Sequence, residues 1–114
     1  MDGDRRAQWL RGVLDVCVLG LLAGGESYGY ELAQALERAG LGRIQGGTLY
    51  PVLLRLERTA LVEADWRAGA AGPARKYYRL TGDGARALAE LRRDWAAFAG
   101  QVSTVLREVT ADGR

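Results

Sequence analysis

Gly46–Gly47–Thr48–Leu49–Tyr50–Pro51–Val52–Leu53–Leu54–Arg55–Leu56–Glu57–Arg58 is the stretch whose reading decides the fold. At about 100° per residue, Leu49, Val52, Leu53, Leu56 and Ala60 fall on one side of a helix. Tyr50, Pro51, Leu54, Arg55 and Arg58 fall opposite, with Thr48 on the border. Paired glycines at the start let the backbone approach another molecule closely. Pro51 needs a place in the first turn, where its missing N–H costs least, so the helix is expected to begin near Gly46–Thr48. One side is dry and the other basic and aromatic. Such a helix suits a DNA groove, and an ordinary amphipathic helix with a solvated face has the same pattern.

Upstream, Leu10, Val13, Leu14, Cys17, Val18, Leu21 and Leu22 recur at helical spacing and predict a first helix over residues 8–23, ended by Gly24–Gly25. Trp9 and Val16 add a second apolar side, which suggests burial on two sides, one of them against a second subunit. Cys17, apolar-flanked, reads as an inert buried thiol. Ser27 is a good N-cap for a second helix, Tyr28 to about Ala39, ended by Gly40 and Gly42. Two helices joined by a short glycine-bearing linker form a helix-turn-helix pattern.

Downstream, Val62 to Arg67 and Arg75 to Leu80 read as strands around the turn-forming loop 68–74. A hairpin appended to a helix-turn-helix is a wing. Thr81 then caps a helix running from about Gly82 to Thr110. Along it Leu88, Leu91, Trp95, Phe98, Val102, Val105 and Val109 are spaced 3-4-3-4-3-4. That heptad seam calls for a partner outside the domain, most simply a second copy of the chain. The fold class is mainly α with a small β-hairpin, a winged helix-turn-helix over residues 1–81, with a dimerisation helix over 82–114 packed on the same domain.

Charge and composition narrow the function. Net charge is only +2, but residues 38–79 hold seven arginines and one lysine against three acids, whereas residues 1–37 hold three arginines against six acids. Basic residues concentrated around one helix suit a nucleic-acid partner. There is no histidine and one cysteine, which excludes a zinc site, a histidine-based catalytic set and an internal disulfide. No nucleophile–base pair or phosphate loop is visible, so neither an enzyme nor a bound cofactor is expected. The longest apolar run, Val16–Ala23, is too short to span a bilayer, and the first residues carry acids beside no hydrophobic signal core; a cytoplasmic protein with no membrane partner is expected.

Three blocks carry a resemblance: Tyr28–Gly29–Tyr30–Glu31–Leu32, Gly47–Thr48–Leu49–Tyr50–Pro51–Val52–Leu53–Leu54–Arg55–Leu56–Glu57, and Arg75–Lys76–Tyr77–Tyr78–Arg79–Leu80–Thr81 with Gly84. Together they resemble the PadR-like family of bacterial transcriptional regulators, of the phenolic-acid-decarboxylase-regulator type, over roughly residues 10–110. The single C-terminal helix is similar to that of its smaller subgroup. The resemblance implies a homodimeric, ligand-responsive repressor that binds a double-stranded DNA operator and releases it on binding a small aromatic or amphipathic effector. It places Tyr28, Thr48 and Tyr50 at DNA and gives Arg75, Lys76 and Tyr77 to phosphates. Pro51 and Arg55, on the exposed side of the same helix, join them. The wing tip departs from the family pattern: Pro73 stands where a basic residue is common, and the tip carries no charge. An effector pocket is expected where Trp95 of the seam meets Trp9, Leu10, Val13 and Leu14 of the first helix. A winged helix serving as a protein-interaction module or dimer scaffold, without reading DNA, is the alternative.

Overall fold

The computed structural model describes the backbone of residues 1–112 and the side chains of residues 1–107. Five helices and three short strands follow in the order α1 (Gly3–Leu10), α2 (Leu14–Leu22), β1 (Ser27–Tyr28), α3 (Gly29–Leu36), α4 (Gly46–Arg58), β2 (Val62–Arg67), β3 (Arg75–Leu80) and α5 (Gly82–Asp112). The core is where the apolar faces of α2, α3 and α4 meet. Leu14, Val18, Leu19 and Leu22 pack with Leu32, Leu36, Leu49, Val52, Leu53 and Leu56, closed by Val62, Tyr78 and Leu88. The fold is the expected winged helix-turn-helix with a long C-terminal helix.

The first helix is two helices. Asp2 caps α1, which starts at Gly3, five residues earlier than expected, its carboxylate accepting from the N–H groups of Asp4 (2.7 Å) and Arg5 (3.3 Å). The chain then leaves helical geometry at Val13 (φ −131°, ψ −1°), after Gly12, before α2 begins. Apolar periodicity runs through that break because Leu10 and Leu14 both point inward. Of the second apolar side, Val16 packs in part against this chain's own core, as do Cys17 and Leu21, while Trp9 is exposed. Burial, then the charge of Asp15, pushes the Cys17 thiol up, which keeps it protonated and unreactive.

Ser27 does not cap α3. It lies in β1, paired antiparallel with Tyr78, and Tyr28 takes the N-cap position without a side-chain bond. The Ser27 hydroxyl instead donates to the Glu31 carboxylate at 2.6 Å. The sheet therefore has three strands in the order β1-β3-β2. Past Leu36 one wider helical turn, Glu37–Leu41, leads into the linker, with Gly40 (φ 93°) and Gly42 (φ 87°) both in the region that favours glycine.

Helix α4 starts at Gly46, which puts Pro51 sixth rather than in the first turn. The bond lost is the one to the Gly47 carbonyl, and Gly47 is exposed, so solvent takes that carbonyl. Ala60 is not on the buried side. It is exposed at φ 61°, the left-handed position of a C-terminal cap in which the Leu61 N–H bonds the Leu56 carbonyl and the Ala60 N–H that of Glu57. Strands β2 and β3 form the wing hairpin with Val62 opposite Leu80 and Arg67 opposite Arg75. The Thr81 hydroxyl accepts from the Gly84 N–H at 3.0 Å and caps α5 as expected.

Only the first part of the α5 seam belongs to this chain's core. Leu88 is buried there and so is not left for a partner, whereas Leu91 packs against the core with one side and keeps part of its surface. Trp95, Phe98, Val102 and Val105 are exposed. Val109 lies outside the residues whose side chains are described.

Candidate nucleic-acid interface

The exposed side of α4 carries Thr48, Tyr50, Pro51, Leu54, Arg55 and Arg58. It carries them because Leu49, Val52, Leu53 and Leu56, the buried side, fix the rotation of the helix. Tyr50 lies across Gly29: a Cβ there would stand 2.5 Å from the Tyr50 hydroxyl. The glycine of the Tyr28–Gly29–Tyr30 block thus exists to let the α4 tyrosine pack on the start of α3.

Beside Tyr50 opens a cleft of about 630 Å³ between α4, the start of α3 and the wing. Tyr28, Tyr50, Arg75 and Lys76, four of the expected DNA-contacting residues, line it together. Tyr30, Leu54 and Trp66 line it as well and were not singled out from sequence as DNA contacts. Trp66 could have been: it sits opposite Lys76 in the hairpin register and is 68% exposed. Pro51, Arg55 and Tyr77 are not part of this lining. Thr48 faces a different groove, on the side of α1.

Tyr28 and Tyr77 form a pair of rings held between two cations. The Arg75 guanidinium lies 4.5 Å over the Tyr28 ring, Tyr28 meets Tyr77 edge-on at 5.3 Å, and the Arg67 guanidinium lies 4.4 Å over Tyr77. Each cation–ring contact contributes about 0.5–1 kcal/mol at such exposed sites. Tyr77, half-buried in this stack, orients its neighbours.

The wing's positive charge is mostly spent inside the wing. Arg67 makes a two-pronged pair with Glu26 (2.5 and 2.7 Å) and a bond to Asp65 (3.1 Å). Arg79 bonds Asp65 (2.6 Å) and Glu63 (3.0 Å). Hydrogen bonds from Arg79 and then Arg67 hold the Asp65 carboxyl below its ordinary range, and Arg67 does the same for Glu26. Lys76, expected to hold a phosphate, is 2.8 Å from Glu57 of α4, and that hydrogen bond pushes its pKa up. A phosphate contact by Lys76 requires breaking that pair. Arg75, by contrast, has no carboxylate partner among the described residues, nor do Arg55 and Arg58.

The five residues expected around an effector are not equivalent. Leu10 and Leu14 are buried, Val13 is half-buried, and Trp9 is exposed. Trp95 is 47% exposed beside Phe98, ring centroids 6.5 Å apart. Leu14 belongs to the core. Among the described residues no group of acids and cysteine has the arrangement of a metal site, and no helix is long and apolar enough to cross a membrane.

Comparison with known proteins gives this geometry its context. A transcriptional regulator of Mycobacterium tuberculosis is 38% identical over 95 residues, 83% of this chain and 87% of that one. The crystal structure of a PadR family transcriptional regulator from Eggerthella lenta superposes with a TM-score of 0.78 at 36% identity, covering 88% of this chain and 87% of that one. The structure of Bacillus subtilis PadR in complex with operator DNA has a TM-score of 0.63 at 25% identity, over 69% of this chain and 46% of the other. The model of the transcriptional regulator PadR-like family matches residues 18–90, the whole of the helix-turn-helix, the wing and the root of α5. The chain belongs to the PadR-like family of transcriptional regulators.

Proposed function

We propose that the chain is a homodimeric repressor that reads a DNA operator with α4 and is released by a small aromatic or amphipathic effector. The observation that carries the DNA part is the α4 surface. It is basic and aromatic, uncovered by the rest of the chain, and flanked by Arg75, whose charge no carboxylate of the wing neutralises. A relative of the same fold has been solved on operator DNA, which supports the same use of this surface. Residues 1–81 serve as the DNA-binding unit and the free length of α5 as the dimerisation element, as in the single-C-terminal-helix subgroup. Two copies would present two α4 helices to successive major grooves, about one helical turn apart. Thr48, Tyr50, Pro51 and Arg55 face the groove; Tyr28 and Arg75 hold the backbone beside it, with Tyr77 bracing Tyr28. Lys76 contributes less than Arg75 because Glu57 competes for it.

An effector site at the crossing of the two α5 helices would have Trp95 as its platform, with Trp9 and Val13 the only first-helix residues of the expected set that retain surface. A flat ligand there changes the spacing of the α4 pair, and so the affinity for DNA, only if ligand and operator favour different spacings.

Titration of fluorescent duplexes, one from the chain's own upstream region and one random, tests the DNA reading. Arg75→Ala should weaken both equally and lower the salt slope by about 0.9, one phosphate contact. Thr48→Ala should weaken the upstream duplex more than the random one. Equal binding of both duplexes by wild type, with no change in Thr48→Ala, would sink the assignment of base reading to α4.

A further inference from the structure

Helix α1 lies ahead of the residues matched by the family model, and it brings a second basic surface to α4. Arg6, Arg11 and Arg43 line a groove of about 500 Å³ with Gly47 and Thr48, the first turn of α4. No acid lines it, and none of the three arginines has a carboxylate partner among the described residues. Three like charges therefore face one groove with no carboxylate in its lining. Arg6 is seated rather than loose: it lies along the linker where Gly42 has no side chain, and a Cβ at Gly42 would come within 3.0 Å of the Arg6 Cδ. The positive φ of Gly42 (87°) calls for glycine, and its missing side chain leaves the space in which Arg6 lies.

We infer that Arg6, Arg11 and Arg43 form a phosphate-binding groove that extends the DNA contact beyond the start of α4, on the side facing α1. The inference rests on the DNA reading above. Guanidinium groups bind phosphodiester oxygens in a fork, and such contacts fix position on the duplex without reading sequence. Thr48 is shared between this groove and the exposed side of α4. A strand held by the three arginines would run past Thr48, while Arg75 holds the backbone at the wing.

The test is the salt dependence of binding, for the full-length protein, to the upstream and random duplexes. Arg6→Gln, Arg11→Gln and Arg43→Gln combined should lower the slope by about 2–3 and weaken both duplexes by the same factor, at least about tenfold at 0.1 M salt. A slope equal to that of wild type overturns the groove while leaving the DNA reading standing. Wild type that is folded and binds neither duplex overturns both. A loss confined to the upstream duplex also overturns it, since phosphate contacts carry no sequence preference. Arg6 is packed, so the pair Arg11→Gln with Arg43→Gln, both exposed, serves if the triple variant fails to fold. That pair should lower the slope by about 2, and an unchanged slope there counts equally against the groove.

Discussion

At the scale of single residues, Gly84 has the carbonyl of Leu61 where a side chain would stand. A Cβ built there lies 1.9 Å from that oxygen, and Leu80 is 3.1 Å away on another side. The same carbonyl accepts from the Thr81 N–H at 3.2 Å, so it cannot turn aside without losing that bond. This is the physical content of the glycine that closes the third sequence block: it sets how tightly the root of α5 docks on the turn before β2. Gly84→Ala should destabilise the protein by about 3 kcal/mol, read as a fall in Tm on the order of 10 °C. An unchanged Tm would mean that α5 docks at a different height. Ser27, legible as a cap, shows the opposite limit. Its hydroxyl does bond locally, to Glu31, but the backbone partner across from it is Tyr78, fifty-one positions away, and no local pattern encodes that.

At the scale of elements, the wing is a hairpin whose outer face is tied by ions rather than by packing. Glu63, Asp65 and Arg67 of β2 stand opposite Arg79, Tyr77 and Arg75 of β3, and Glu26 reaches the Arg67 end. Both strands were expected from the sequence, because period two is a local property. The alternation did not predict which arginines are free, because that depends on which carboxylates the register brings opposite. Asp65 and Glu26 titrate below their ordinary range in the folded chain. The stabilisation they give is therefore fully present above the unfolded carboxylate values, about 3.9 and 4.3. It is lost as pH falls through the lower folded values. Thermal unfolding should show Tm falling on acidification below about pH 4, by less in Asp65→Asn than in wild type, with the difference shrinking in 1 M salt. Parallel acid profiles at low and high salt would show that these exposed pairs add nothing to stability.

At the scale of the whole molecule, the shape is long, 62 × 31 × 20 Å, because α5 runs on past the domain. Its 31 residues span about 46 Å, and among the described residues only the first part of its apolar seam meets this chain's core. Trp95, Phe98, Val102 and Val105 then leave a continuous apolar stripe in water, the mark of an interaction surface in a small protein. Phe98 is 59% exposed in the single chain, so Phe98→Asp should leave the domain folded by circular dichroism. In the proposed dimer it would bury an unpaired carboxylate at about 3–5 kcal/mol, and sedimentation should find monomers. A dimer of unchanged affinity would place the interface elsewhere.

The sequence by itself determined the helix-turn-helix, the wing and the long last helix, since each is written in periodicity and capping within a short window. The rotation of α4 is fixed by Leu49, Val52, Leu53 and Leu56, and the exposed set Thr48, Tyr50, Leu54 and Arg55 follows from it without any tertiary contact. Tertiary structure alone decided the break between α1 and α2, the third strand, and the use of Leu88 in the core rather than in the seam. It also decided the charge of the interface. Arg67, Arg79 and Lys76 look like phosphate ligands in a basic stretch, yet each is held by a carboxylate that folding brings to it. Arg6, Arg11 and Arg43 look like scattered surface charges until the linker lays α1 beside the start of α4. Periodicity reports which side of an element is dry. Which charges remain unpaired depends on distances between elements, and those exist only once the chain has folded.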